Sequence, residues 1–319
     1  MEDRQLTPVN RTAPLPPCLP REVEWPTVVV AATIWLGLVV VMATHRSVPW
    51  WVTVPALMYL AGWYASLQHE VAHGHPTPWA WVNVAVAGAP LGFVYPYARF
   101  RDLHLAHHRD PDRLTEPGID TESRYCSPEE WQRAGRLRRV LLRADRTLAG
   151  WLTVGVVSGS IRYIAQDLRR AGRDRRLGDI WVRHLISCAL VGYLIVGVVG
   201  LPVLQLVVGL VYGRMVCTGL RTFAEHRWVA AGTRTAVVHA SPLMALLFLN
   251  NNLHYTHHDR PGAPWYRLPG LHRELGADAL AAAGAGLYTG GYLEQWRRFG
   301  FRPFCQPVHP AIESGRRIG

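Results

Sequence analysis

The chain has 319 residues, 49% of them hydrophobic, and a mean hydropathy of +0.04 despite 34 basic side chains, every one an arginine. A net charge of +11 suits either nucleic acid or an anionic membrane surface; no RNA-binding signature or basic–aromatic stripe is present, so nucleic acid is excluded as a partner, and the long apolar runs decide for the membrane. Five cysteines (Cys18, Cys126, Cys188, Cys217 and Cys305) form no CxxC, which argues against a disulfide scaffold and against a cysteine-ligated zinc or iron–sulfur site.

Residues 1–24 are polar and proline-rich and predict a flexible tail; charge and proline precede any apolar core, so a signal peptide is not expected. Residues 26–44 carry no charge and are long enough to cross a bilayer as a helix, which takes about 20 residues. Residues 48–67 follow after the short turn His45-Arg46-Ser47, which predicts a helical hairpin. Trp79 to Tyr95 is short and holds Gly88, Pro90 and Gly92, and Thr147 to Ala165 holds Arg162; both are expected to be interfacial or re-entrant helices. A second hairpin is predicted from spans 180–200 and 201–219, broken at Gly200-Leu201-Pro202. Of the arginines, only Arg46 falls in a hairpin turn, so the positive-inside rule places both termini and every histidine cluster on the cytoplasmic side of what is expected to be a bacterial inner membrane. Trp25, Trp50, Trp51, Trp63 and Trp79 fall near span ends, as interfacial aromatics do. The expected fold is mostly α: a four-helix transmembrane bundle of two hairpins with a cytoplasmic helical cap, all within one domain over 25–319.

The stretch from Gln68, QHEVAHGHP, contains His-Glu-x-x-His, which on a helix is also a zinc-protease signature. His69 and His73 are four apart and share a helix face. His104, His107 and His108 form HLAHH, His254, His257 and His258 form HYTHH, and His226 lies in RTFAEHRW. A zinc peptidase needs three protein ligands and an open position. It would leave two HxxHH boxes without purpose, whereas nine imidazoles suit two metal ions, and neutral imidazole suits iron as well as zinc. His75 extends the first box to HxxxHxH and is either a further ligand or a neighbour of one. His45, His184, His239, His272 and His309 read as ordinary.

With HxxxH after the second span, HxxHH some thirty residues later and HxxHH after the fourth, the chain resembles the integral-membrane fatty acid desaturase superfamily, over roughly residues 25 to 300. Acyl desaturases, acyl hydroxylases, carotenoid ketolases and hydroxylases, and alkane hydroxylases share such boxes. The first box is one residue tighter than in many acyl-CoA desaturases, which sets the chain apart from that subgroup. The resemblance implies a non-haem diiron centre, using O2 as co-substrate and held by His69, His73, His104, His107, His108, His254, His257 and His258, with His226 as the additional histidine upstream of the third box. It implies oxygen-dependent desaturation of a fatty acyl chain in the membrane. Hydroxylation or ketolation of a lipid, carotenoid or small metabolite is the alternative, and a zinc metalloprotease a more remote one. A membrane metal carrier would want ionisable residues within its spans, which these largely lack.

Ligating histidines usually give their other N–H to a carboxylate or carbonyl. Glu70, Asp102, Asp110, Glu225 and Asp259 are the acids near the boxes, and one of Asn250, Asn251 and Asn252, with Asn251 preferred, is expected to serve the site. Arg99, Arg101 and Arg109 flank the second box and suit anionic lipid. The proline-rich stretch after the third box, Asp259 to Pro269, is expected to be a rigid loop under the site. No cytochrome b5 motif, ferredoxin cysteine set or dinucleotide fingerprint appears, so a separate electron donor, ferredoxin or similar with its reductase, is expected.

Overall fold

The computed structural model describes residues 19–310, so most of the predicted tail lies outside the described residues. The tail's last residue, Glu24, is pinned. Its N–H donates to the Pro76 carbonyl at 2.9 Å, and its carboxylate lies 2.8 Å from His75 Nδ1.

Helix α1 (Trp25–Thr44) starts with Pro26 in its first turn, where a missing N–H costs nothing, and continues through an unbroken apolar run. It buries Thr27, Val30, Ala31, Ile34 and Leu38, one face at three- and four-residue spacing, against α2 (Trp50–Ala72). This is the first hairpin. The helix α3 (Ala80–Ala87) has eight residues, about 12 Å of rise, too short to cross a hydrocarbon core of about 30 Å. The carbonyls at its end are answered from the neighbouring helices. Trp35 Nε1 donates to Val86, Gln68 Nε2 to Ala87 and Tyr64 Oη to Ala89, at 3.1, 2.6 and 3.0 Å. A broken helix is tolerated among apolar helices because those groups are satisfied.

The chain continues with α4 (Tyr97–His107), α5 (Pro128–Arg133) and α6 (Arg136–Ala144). Next comes α7 (Leu148–Ala171). Residues 147–165, expected as an interfacial or re-entrant helix, belong to this 24-residue helix, whose most apolar 18 residues have a mean hydropathy of 1.3. It is long and apolar enough to cross a membrane, as are α1, α8 (Arg175–Val198) and α9 (Val203–Glu225). Helix α2 is as long but ends in Gln68, His69 and Glu70, and it is the most enclosed: from Ala61 to Thr77 only Ala65 is not buried.

The second hairpin, α8 and α9, turns at Gly200, whose φ of +79° lies in the left-handed region that glycine adopts without a steric penalty. His45 Nε2 lies 3.2 Å from the Gly200 carbonyl, and Arg46 donates to the Val199 carbonyl at 3.3 Å. The two hairpin turns therefore meet at one end of the bundle. Antiparallel connectivity puts the ends of α2 and α9, where the first box and His226 lie, at the other.

Glycines let α2 and α9 approach closely. A Cβ on Gly213 would lie 2.6 Å from Met58 Cα, and one on Gly62 would lie 2.5 Å from Cys217 Cβ. After α9, the chain adds β1 (Ala236–Val238), α10 (Pro242–Leu247), α11 (His254–Asp259), α12 (Leu268–Ala282), β2 (Gly286–Tyr288) and α13 (Gly291–Phe299). The two strands pair in parallel, Val237 opposite Leu287. β1 fixes the entry to the third box: Val238 N–H donates to Asn252 O at 2.9 Å, and Asn252 Nδ2 donates back to Val238 O at 2.8 Å.

Candidate metal centre

Four segments deliver histidines to one place: the ends of α2 and α4, the residue after α9, and α11. All nine boxed or predicted histidines converge there in two groups. His69, His73, His104, His108 and His257 offer nitrogens within 4.8 Å of one another, and so do His107, His226, His254 and His258.

Helical geometry explains the division. Residues i and i+4 are 40° apart around a helix axis, whereas adjacent residues are about 100° apart. In the second box the i,i+4 pair His104 and His108 joins the first group, and His107 turns to the second. In the third box the pair His254 and His258 joins the second group, and His257 turns to the first. HxxHH on a short helix is thus a splitting device, and two facing copies supply both groups. His108 and His258 stack across the divide, with ring centroids 4.2 Å apart.

The inward nitrogens meet at hydrogen-bond distance. His73 Nε2 lies 3.0 Å from His104 Nε2, and His108 Nε2 lies 3.2 Å from both His104 Nε2 and His257 Nε2. In the second group His254 Nε2 lies 3.2 Å from His226 Nε2 and 3.0 Å from His258 Nε2. Such a pair of nitrogens shares at most one hydrogen, and His69 Nε2 and His107 Nε2 are buried with no partner. A cation at the centre of each group would satisfy all of them at once. All-nitrogen donor sets fit iron, zinc and similar metals, so the residues present fit a dimetal centre.

Several outer nitrogens are held. His104 Nδ1 lies 2.9 Å from Glu122 Oε1, and His107 Nδ1 lies 2.8 Å from Asp120 Oδ1. His254 Nδ1 lies 3.3 Å from Asn251 Oδ1, while Asn251 Nδ2 donates to Glu225 Oε1 at 3.1 Å. Arg221 Nε is 3.0 Å from the same Glu225 oxygen. Glu70 Oε1 is 3.7 Å from His69 Nδ1, and its other oxygen accepts from the Trp265 N–H at 3.0 Å. That second contact ties the loop after the third box onto α2, and Trp265 Nε1 donates to Thr27 on α1 at 3.1 Å.

Electrostatics prepare most of the cluster for metal. Burial first, and crowding by neighbouring imidazoles second, push His69, His73, His108, His254, His257 and His258 well below the usual histidine range, which keeps them neutral. Burial lowers His226 to about 4. His107 is the exception. Burial opposes its charge, but Asp120 and Glu122 outweigh it and raise it to about 9.

Residues 46–290, well over half of the chain, match the family model described as fatty acid desaturase. The chain belongs to the fatty acid desaturase family. It is similar to the sn-1 oleoyl-lipid 12-desaturase of Arthrospira platensis, 24% identical over 280 residues that cover 80% of this chain and 77% of that one. This family member is therefore a membrane oxidoreductase, and its histidine clusters are consistent with a metal centre.

Among the acids expected beside the boxes, Glu70 and Glu225 reach histidines, and Asp102, Asp110 and Asp259 do not. Asp102 turns to Arg101 and Arg176, at 3.3 and 2.7 Å, because it projects from the opposite side of α4. Asp259 lies 3.5 Å from Arg260 at the exposed end of α11. Sequence reasoning missed Asp120 and Glu122. They sit on an irregular segment after α4 that is fastened by Arg234 to Glu116 at 2.8 Å and by the Cys126 N–H to Pro307 O at 3.1 Å. The alternating acids of Asp120-Thr121-Glu122 were the only signal, and a loop gives no period by which to aim it.

His75 is in neither group; it pairs with Glu24. The three asparagines divide their roles. Asn250 Nδ2 holds the Trp265 carbonyl at 3.0 Å, Asn252 holds β1, and Asn251 reaches the site.

Proposed function

We propose that the chain is a diiron desaturase that uses O2 to introduce a double bond into a fatty acyl chain at the membrane. The observation that carries this reading is the division of nine buried imidazoles into two convergent groups, within a chain of the desaturase family. Two irons with dioxygen and two electrons supply the oxidising power to break an unactivated C–H bond, which side-chain acid–base chemistry lacks. The protein's own part is ligation, orientation and exclusion of water. His69, His73, His104, His108 and His257 would hold one ion, and His107, His226, His254 and His258 the other. Asp120, Glu122, Asn251 and Glu225 fix ring orientation by accepting from the outer nitrogens or by holding the group that does. The Trp265 loop seals the cluster on the α1 and α2 side.

HExxH does not act here as a peptidase motif on this reading. Glu70 is engaged by the Trp265 N–H, and His69 and His73 share their group with three further histidines. Arginine placement puts the termini and the histidine end on the cytoplasmic side of a bacterial inner membrane. Electrons come from a separate ferredoxin or similar donor with its reductase.

The test is high-resolution mass spectrometry of lipids and small metabolites from cells that supply a ferredoxin, comparing the wild-type chain with His257→Ala. A product lighter by two hydrogens, absent from the variant, is expected. A product heavier by one oxygen would replace desaturation by hydroxylation or ketolation at the same centre. An unchanged product profile in the variant would overturn the role of the histidine cluster.

A further inference from the structure

Four arginines are buried among the described residues: Arg146, Arg214, Arg221 and Arg234. Three of them have a carboxylate. Arg146 contacts Asp145, Arg221 Nε lies 3.0 Å from Glu225, and Arg234 Nη1 lies 2.8 Å from Glu116. Arg214 has none. It lies within α9, two turns before Arg221 and on the same face, and its guanidinium donates to the neutral side-chain oxygen of Gln68. Gln68 is itself held in place, its amide donating to Ala87 O at 2.6 Å.

The fold makes room for this cation. A Cβ on Gly92 would lie 2.1 Å from Arg214 Cδ, so the side chain passes where only glycine fits. Arg214 keeps 8% of its surface accessible. A buried charge is costly unless it is paired, and an ionisable group inside a membrane-spanning helix marks a functional site. Gln68 is the residue before His69, so the guanidinium is held from the same turn of α2 that carries the first histidine box.

We propose that Arg214 anchors the acidic end of a lipid-like substrate, a carboxylate that completes the ion pair the protein leaves open. A carboxylate matches the planar guanidinium fork and can accept two of its N–H groups. Gln68 holds the guanidinium in orientation on one side, and the remaining donors receive the ligand. The inference rests on the reading that the substrate is an acyl chain, and it specifies a free acid end.

Calorimetric titration of the full chain in lipid nanodiscs, with empty nanodiscs subtracted, tests it through binding and so independently of turnover. Octanoate is expected to bind the wild-type protein at least about tenfold more tightly than 1-octanol. Arg214→Gln should abolish that preference and leave 1-octanol binding within about twofold, and Arg214→Lys should keep part of it. Equal wild-type affinities for the two probes would overturn the proposal, as would a preference that survives Arg214→Gln. Displacement of octanoate by chloride at equal concentration would also overturn it, by making an inorganic counter-ion the occupant. If Arg214→Gln fails to fold, the wild-type ratio and Arg214→Lys decide. A correct octanoate preference with no oxidised product would leave Arg214 standing and remove the proposed reaction.

Discussion

Asp120 Oδ1 lies 2.8 Å from His107 Nδ1, and both side chains are buried. The carboxylate orients a ring whose other nitrogen faces the second histidine group. It also holds a proton on that ring when no metal is bound. Glu122 likewise orients His104, at 2.9 Å, toward the first group, but there burial outweighs the carboxylate and lowers the histidine pKa. Asp120→Asn and Glu122→Gln are each expected to weaken metal binding about 10- to 100-fold, the usual range for a carboxylate behind a ligating histidine. Asp102→Asn, whose carboxylate faces Arg101 and Arg176, should leave metal affinity within about twofold. Competition against a chelator of known affinity measures all three. Equal losses in the three variants would remove the distinction.

Metal uptake should release a proton from His107. With its pKa raised to about 9, this ring is charged at neutral pH before metal binds, and a ligand must be neutral. Apparent affinity should therefore fall about tenfold for each pH unit below about 9 on this account, and level off above it. The six histidines held well below the usual range are already neutral and add no such dependence near pH 7. A cobalt(II) titration from pH 6 to 8 reads the slope. Asp120→Asn should flatten it, because the charge that raises His107 is gone.

His75 separates a structural histidine from a ligand. Its Nδ1 is 2.8 Å from Glu24, and the two side chains close the start of α1 onto the end of α2. His75→Phe should leave the metal content unchanged and cost about 1–3 kcal/mol of stability, seen as a lower Tm. Burial disfavours the charge on His75, but Glu24 and Glu70 outweigh it and raise its pKa. The stabilisation is then complete below about pH 6.5, the ordinary histidine value, and is lost as pH rises through the raised one. A variant that loses metal would make His75 a ligand.

Gly213→Val tests whether helix contact sets the site. Its Cβ would lie 2.6 Å from the Met58 Cα, and backbone cannot rotate away as a side-chain tip can. Forcing α2 and α9 apart should cost about 1–3 kcal/mol or more and lower the metal content together with Tm. The reason is that α2 carries His69 and His73 while α9 leads into His226. Loss of Tm at full metal occupancy would show that the boxes hold their geometry without this contact.

Much of this protein was legible in its sequence. Apolar length placed α1, α2, α8 and α9 within a few residues, because backbone groups in lipid must bond internally and a helix of about 20 residues is the way to do so. Spacing brought out the eight boxed histidines, since i,i+3 and i,i+4 positions on a short helix lie close enough to share a target, and the family resemblance added His226. Thr147 to Ala165, expected as an interfacial or re-entrant helix because of Arg162, is helical and forms most of α7, which by length and composition could also cross a membrane.

What only the tertiary structure decided lies in loops and in partnerships between distant segments. The division into five and four histidines depends on how α4 and α11 face each other across α2 and α9. Asp120 and Glu122 reach the cluster because an irregular segment is fastened at both ends. Asp102 fails to reach it although it is two residues from His104. Periodicity fixes the direction of a side chain within a helix, but only packing fixes what stands opposite, and a loop has no period to read. The lone cation of Arg214 is legible only in the fold, where the other buried arginines have found their carboxylates.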